Sequence, residues 1–373
     1  MRQQKVLDVS RYFVASCRGM ATNKATLRDV ARLANVSTAT VSRVANGNPQ
    51  VHPEIQSRVF AAARQLGVDL TETRKNRSLA FVLGNRDAPN EFQSRVLMGA
   101  EGYCAQHGWD LQFISFLCDL ETSAGNLRLP PALARHDRPG GVILSGTHST
   151  GILATLRERR IPFSVAGNNI VGKWCPEEYD CVSTDDVRGA FEVTQYLIGL
   201  GHRHIWYIGN QRLPWYAHCA EGYRRAMMES GLEPRFSEIR SEDRKLGYLA
   251  AKSLLANKEP ATALFAGNDQ AAFGIYQALQ ESGMRIPDDV SVAGFDDTMG
   301  DVLHPGLTSA REFPREIGRH LAEFVFKRIH NPDLPPQQMM IPTELIRRDS
   351  VRALQSARIV ALERTKEEFL TPR

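Results

Sequence analysis

The chain has 373 residues, 42% of them hydrophobic, which is enough for two or three domains with apolar cores of their own. No run of 18 apolar residues exists to form a membrane-spanning helix, and the six cysteines (Cys17, Cys104, Cys118, Cys175, Cys181, Cys219) include no Cys-x-x-Cys pair, which argues against structural zinc and a secreted disulfide framework. The net charge of +4 is uneven: residues 1–78 hold 13 Lys and Arg against 5 Asp and Glu, the remainder 33 against 37, so a basic head precedes an acidic body, as in nucleic-acid-binding modules.

Residues 1–25 read as an N-terminal extension without fixed structure. The apolar patch Tyr12–Ala15 beside Arg11 and Arg18 is too short for a signal peptide. Met20 is a second candidate start, so residues 1–19 read either as an arm or as sequence upstream of the true start. From Thr26 the pattern becomes helical. Thr26 is an N-cap with Asp29 as its capping partner, and Leu27, Val30, Ala31 and Ala34 share one apolar face. Asn35-Val36 makes a turn and Ser37 caps a second helix. There Val41, Val44 and Ala45 point inward, leaving Thr38, Ala39, Thr40, Ser42 and Arg43 outside. Small side chains let a helix enter a major groove, hydroxyls reach phosphates, and arginine can bridge guanine O6 and N7. This is a helix-turn-helix, in which Thr38, Ala39 and Arg43 are expected to meet base edges while Thr26, Ser37, Thr40, Ser42 and Asn46 position the backbone. A third helix runs from Pro53 to Leu66, with Gly67 as its stop and His52 as a weak cap.

Residues 68–78 are polar and read as a linker. Beyond them, short apolar runs at Leu79–Leu83, Leu111–Ile114, Gly141–Leu144, Phe163–Ala166, Ile205–Ile208, Ala263–Ala266 and Val290–Gly294 read as buried strands. Helical patterns at about 94–107, 150–160, 187–200, 219–231, 246–256, 270–283 and 314–330 alternate with them, which means parallel sheets with right-handed crossovers. Polar groups sit just after several strands: Ser145 and Thr147, Asn268-Asp269, and Asp296-Asp297. Ligands bind beyond such strand ends, and short acceptors there suit a polyhydroxylated ligand. For Asp269 an N-cap role on the following helix stands equally open.

The run Thr26–Gly47, the helix after it, and the stretches Ala263–Asp269, Asp288–Asp297 and Pro342–Arg348 together resemble the lactose-repressor (LacI) family of bacterial transcription regulators over roughly residues 26–350. The resemblance implies an all-α helix-turn-helix headpiece (26–67), then a linker or hinge (68–78). After these it implies an α/β, periplasmic-binding-protein-like (type I) core (79–350) of two doubly wound parallel-sheet subdomains. On that pattern the first subdomain covers about 79–180 and 306–335, the second about 181–303 and 338–348, and 351–373 is a tail. It also implies an effector cleft in which Asp296 contacts the ligand, Phe92 and Trp215 (with Tyr216 beside it) are stacking platforms, and Ser145, Cys219 and Asn268 are further contacts. Cys219 stands where the family commonly has an effector-gripping arginine, with Arg212 and His218 as candidate replacements. His202-x-His204 matches a segment that in the family carries basic residues without metal, so no metal and no cofactor are expected.

The expected function is a ligand-responsive, sequence-specific DNA-binding repressor of carbohydrate-utilisation genes, acting in the cytoplasm on the nucleoid as a homodimer on a palindromic operator. The alternative is a sugar-binding sensory protein without an operator. An enzyme is not expected: there is no Gly-x-Gly-x-x-Gly after the first strand, no Walker A loop and no Gly-x-Ser-x-Gly elbow. The linker lacks the family's Pro-Asn start and hinge-helix sequence and is some four residues shorter. A hinge helix that is absent or reduced to one turn is therefore expected, with Leu70 its one sizeable apolar residue after Val68. Arg74, Lys75 and Arg77 would then meet DNA electrostatically. In the tail, Arg358 and Thr365 interrupt a heptad seam, which favours a dimer over a tetramer.

Overall fold

A computed structural model describes residues 25–45, 50–68, 70, 77–86, 90–122, 124–135 and 138–354. The chain divides into two units, Met1–Asn76 and Arg77–Arg373. Residues 1–24 of the N-terminal extension, Asn46, positions 69 and 71–76 of the linker (Arg74 and Lys75 among them) and the 355–373 tail lie outside the described residues.

The first unit contains helices α1 (Leu27–Leu33), α2 (Thr38–Ala45) and α3 (Pro53–Leu66). Val30, Val41, Val44, Val59, Ala62 and Ala63 form its core. Asn35 adopts φ 49°, a left-handed value that asparagine tolerates, and so reverses the chain between α1 and α2. The Arg58 guanidinium on α3 donates to Ala34 O at 2.6 Å and locks that turn against the third helix. Gly67, at φ 65°, ends α3, and the Val68 N–H returns to Ala63 O at 2.9 Å. His52 makes no side-chain cap to α3. Leu70 is only 4% exposed and belongs to the same core.

The second unit holds two six-stranded sheets. Its strands are β1 (Ser78–Gly84), β2 (Asp110–Phe116), β3 (Gly141–Gly146), β4 (His148–Ser149), β5 (Phe163–Ala166), β6 (Ile170–Val171), β7 (Cys181–Thr184), β8 (Ile205–Ile208), β9 (Arg235–Phe236), β10 (Ala263–Ala266), β11 (Ser291–Asp296), β12 (Thr308–Arg311), β13 (Gln338–Ile341) and β14 (Glu344–Ile346). The first sheet runs β13-β7-β5-β3-β1-β2 and the second β14-β12-β11-β10-β8-β9; β4 and β6 form a small pair. All pairings are parallel except β12 with β14. Helices Glu91–Gln106, Thr150–Glu158, Asp186–Gly199, Pro214–Glu229, Asp243–Ala256, Asp269–Glu281 and Pro314–His330 supply the main crossovers, and a short helix, Pro131–Ala134, precedes β3. The first and last long helices touch backbone to backbone, because a Cβ on Gly318 would collide with the Val96 carbonyl. No described helix is long and apolar enough to cross a membrane.

Three sheet assignments differ from the expected subdomain limits. Residues 181–184 belong to the first sheet, 308–311 to the second, and 338–341 return to the first, leaving only β14 of the 338–348 segment in the second. The chain thus crosses between sheets after Thr184, after Arg311 and after Ile341. Their sequences, Cys-Val-Ser-Thr, Thr-Ser-Ala-Arg and Gln-Met-Met-Ile, are four residues each and none is apolar throughout, and backbone pairing decides which sheet receives them.

Candidate functional site

On α2 the side chains left outside are short and polar. Thr38, Ala39, Ser42 and Arg43 are exposed and Thr40 is half-buried. The Ser37 hydroxyl caps the helix by accepting the Thr40 N–H at 3.0 Å, and the two hydroxyls lie 2.8 Å apart. On α1 the exposed Thr26 donates its N–H (2.9 Å) and its hydroxyl (2.7 Å) to the Asp29 carboxylate. The helix therefore presents a low surface on which the Arg43 guanidinium is the one long polar arm among the described residues.

The second unit has a cleft between the carboxyl ends of its two sheets. Residues of both sheets and of the segments that cross between them line it. Phe92, Ser145, Trp215, Cys219, Asn268 and Asp296, all singled out from the sequence, line it together. From the first sheet, Ser145 at the end of β3 donates to Gln93 Oε1 at 2.5 Å, both residues being buried. Asn90 caps the Glu91–Gln106 helix through the Gln93 N–H, which fixes the adjacent Phe92 at the wall. From the second sheet, Asn268 accepts the Ala271 N–H at 2.8 Å and thereby caps the Asp269–Glu281 helix. Asp269 is not that cap. Its carboxylate instead accepts the Met299 N–H (3.0 Å) and the Ser309 hydroxyl (2.7 Å), and Gly294 leaves the space it occupies. Burial, with the Asp297 charge adding to it, lifts the Asp269 carboxyl to about 7.

Asp296 ends β11 and is 7% exposed. Its backbone (φ 88°) and that of Asp297 (φ 53°) are left-handed, a strain of the kind that collects at ligand sites. Side-chain bonds hold both. Asp296 Oδ1 takes the Thr298 N–H (3.0 Å) and hydroxyl (2.7 Å), and Asp297 takes Arg311 (2.8 Å) and Arg348 (2.6 Å). Burial and then the neighbouring Asp269 push the Asp296 carboxyl well above the usual carboxylate range.

Two models of protein families match this chain: "Bacterial regulatory proteins, lacI family" over residues 26–68, and "Periplasmic binding protein-like domain" over residues 194–351. The ribose operon repressor of Escherichia coli (strain K12) is 30% identical over 338 residues, covering 87% of this chain and 99% of that protein. This chain belongs to the lacI family. The HTH-type transcriptional repressor PurR of Vibrio campbellii is 28% identical over 88% of the chain and 99% of its own length. Among solved structures, the transcriptional regulator CelR in complex with cellobiose matches with a TM-score of 0.64 at 28% identity, over 87% of this chain and 99% of that one. The lac repressor dimer bound to operator matches with a TM-score of 0.66 over 88% of this chain and 99% of that one, a likeness of fold at 21% identity. As a lacI-family member the chain is a ligand-responsive DNA-binding transcription regulator and not an enzyme.

The lacI-family cleft here also contains residues that sequence reasoning missed. Arg86, just after β1, lies 4.8 Å over the Trp215 ring and 3.5 Å from Asp243 Oδ2, and its buried Nε has no hydrogen-bond partner. It brings a guanidinium to the cleft, whereas neither of the candidates Arg212 and His218 lines it; His218 sits 3.7 Å from Asp186 at its edge. Thr184, Asp186 and Glu312, at two of the crossings between sheets, and Asn168, just after β5, also line the cleft. Asn168 Nδ2 donates to Asp186 Oδ2 at 2.5 Å, and the Thr184 hydroxyl lies 2.6 Å from Asp186 Oδ1 and 2.8 Å from Glu312 Oε1. Polar residues at or just after a strand end are the signal: Asn168 follows β5, a strand the sequence did show, whereas Thr184, Asp186 and Glu312 needed β7 and β12 to be recognised. Tyr216 is core rather than platform: it is fully buried and donates to Asp243 at 3.0 Å. His202 spends both ring nitrogens within the protein, on Thr262 Oγ1 (3.1 Å) and Arg352 O (3.0 Å).

Proposed function

We propose that this regulator is a repressor of carbohydrate-utilisation genes, binding a palindromic operator as a homodimer in the cytoplasm, on the nucleoid, and responding to a small hydroxylated ligand, a sugar or sugar derivative. The observation that carries the ligand half is the convergence of Ser145, Asn268 and Asp296 with the rings of Phe92 and Trp215 in one cleft. Short acceptors satisfy hydroxyls that burial would otherwise leave unpaired, and the rings cover the apolar face of a sugar. The reading is supported by relatives named ribose operon repressor and by a similar regulator solved with cellobiose.

For the DNA half, selection from a random pool should return a two-fold palindrome. Arg43→Ala should then cost about 1–3 kcal/mol on that site and relax preference at one base pair, whereas Thr40→Ala should weaken all sequences alike. Equal losses on selected and random DNA for Arg43→Ala would sink the assignment of Arg43 to a base edge.

The short linker sets how the operator is bent. Leu70, the sole candidate there for a leucine wedged into the minor groove, is packed in the headpiece core. Binding without a central wedge leaves the operator less bent and, with Arg77 and its basic neighbours on phosphates, more salt-sensitive. Circular-permutation gel shifts should show no sharp central kink, and Leu70→Ala should destabilise the headpiece by about 2–5 kcal/mol. A kink that disappears in a still-folded Leu70→Ala protein is the contrary result.

A further inference from the structure

The cleft is short of positive charge. Asp186, Asp296 and Glu312 line it, and Asp269 lies close enough to raise the carboxyls of Asp296 and Glu312. Among the described residues no lysine or arginine forms an ion pair with any of the three lining carboxylates; Asp186 has only the half-exposed His218 ring at 3.7 Å. Arg86, the lining cation, is turned toward Asp243 and the Trp215 ring, and Arg311 and Arg348 are spent on Asp297.

The geometry at Thr184 shows how the carboxyls are held. A hydroxyl has one proton, yet this one lies within hydrogen-bond distance of an Asp186 oxygen and a Glu312 oxygen. Both contacts are bonds only if one carboxyl carries a proton of its own. Burial and the Asp186 charge push Glu312 well above the usual carboxylate range, as burial and Asp269 do for Asp296. Protons thus stand in for a cation that the protein does not provide.

We propose that the ligand of this cleft carries a protonated amine beside its hydroxyls, as an amino or imino sugar does, seated among Asp186, Asp296 and Glu312. The inference rests on the reading of the cleft as a sugar site and narrows it. A neutral sugar leaves the carboxyl protons where they are; an ammonium replaces them with charge-assisted bonds and releases them.

The test is calorimetry on the full chain with glucosamine, galactosamine, mannosamine and 1-deoxynojirimycin, each beside glucose, galactose or mannose as its neutral parent. Titrations in two buffers of different ionisation enthalpy count protons. The best-bound amine should bind at least tenfold more tightly than its parent and, in mildly acidic buffer where the free amine already carries its own proton, release about one proton from the carboxyls. Glu312→Gln should cut that preference below threefold; if thermal unfolding shows that this variant does not fold, Asp186→Asn takes its place. The groups facing the amine are Asp186, Asp269, Asp296, Glu312, His218 and Arg86, so both counts report on this cluster. A neutral parent binding as tightly as its amine, or amine binding without proton release, overturns the proposal and leaves the sugar reading standing. Failure of every probe to bind overturns both.

Discussion

Replacing Asp296 with alanine should abolish the response to ligand. One oxygen of its carboxyl is committed to Thr298, through the Thr298 N–H and hydroxyl, which fixes the group at the cleft wall. A hydrogen bond contributes about 0.5–1.5 kcal/mol to a neutral carboxyl and about 1.5–3 kcal/mol to an ionised one, so two ligand bonds lost together weaken binding by roughly tenfold to a hundredfold or more. Asp296→Asn keeps the shape and an acceptor, and should lie between wild type and alanine. The measurement is release from, or retention on, the selected operator as ligand is added. Operator affinity without ligand, which depends on the separate first unit, serves as the control. If Asp296→Ala responds at wild-type ligand concentrations, the ligand site lies elsewhere.

Arg348→Ala should be the most destabilising of the single substitutions considered. Arg348 donates to both oxygens of Asp297 (2.6 and 3.2 Å) and to Leu307 O (2.7 Å), and the Asp297 side chain is 2% exposed. Removing one partner of a buried pair costs up to about 3–5 kcal/mol, the upper figures applying where the remaining charge is left uncompensated. Asp269 stands close enough that the Arg348 charge also lowers its carboxyl, so that support is lost as well. Arg311 at 2.8 Å from Asp297 remains and holds the loss within that range. Thermal unfolding should drop by roughly 10 °C. Because Asp297 adjoins Asp296 in the left-handed segment, ligand affinity should fall too. An unchanged midpoint would mean that Arg311 alone balances Asp297.

The headpiece was almost wholly legible because its determinants are local. The capping pairs Thr26 with Asp29 and Ser37 with Thr40 span three residues each, and the inward set Val30, Val41 and Val44 follows helical period. Leu70 was the exception. A polar neighbourhood marked it as linker, and only packing against residues far along the chain draws it into the core.

In the larger unit, sequence alone determined the alternation of strand and helix, since central parallel strands are buried on both faces and read as apolar runs. It also determined those cleft-lining residues that end or directly follow such runs: Ser145, Asn268 and Asp296. Tertiary structure decided the rest. Strand order sends 181–184 and 338–341 to one sheet and 308–311 to the other, and those crossings bring Thr184, Asp186 and Glu312 together. It also lays Arg86 of one sheet over Trp215 of the other. No local rule contains those pairings, because hydropathy records how deeply a strand is buried and not which neighbour its backbone hydrogen bonds will find.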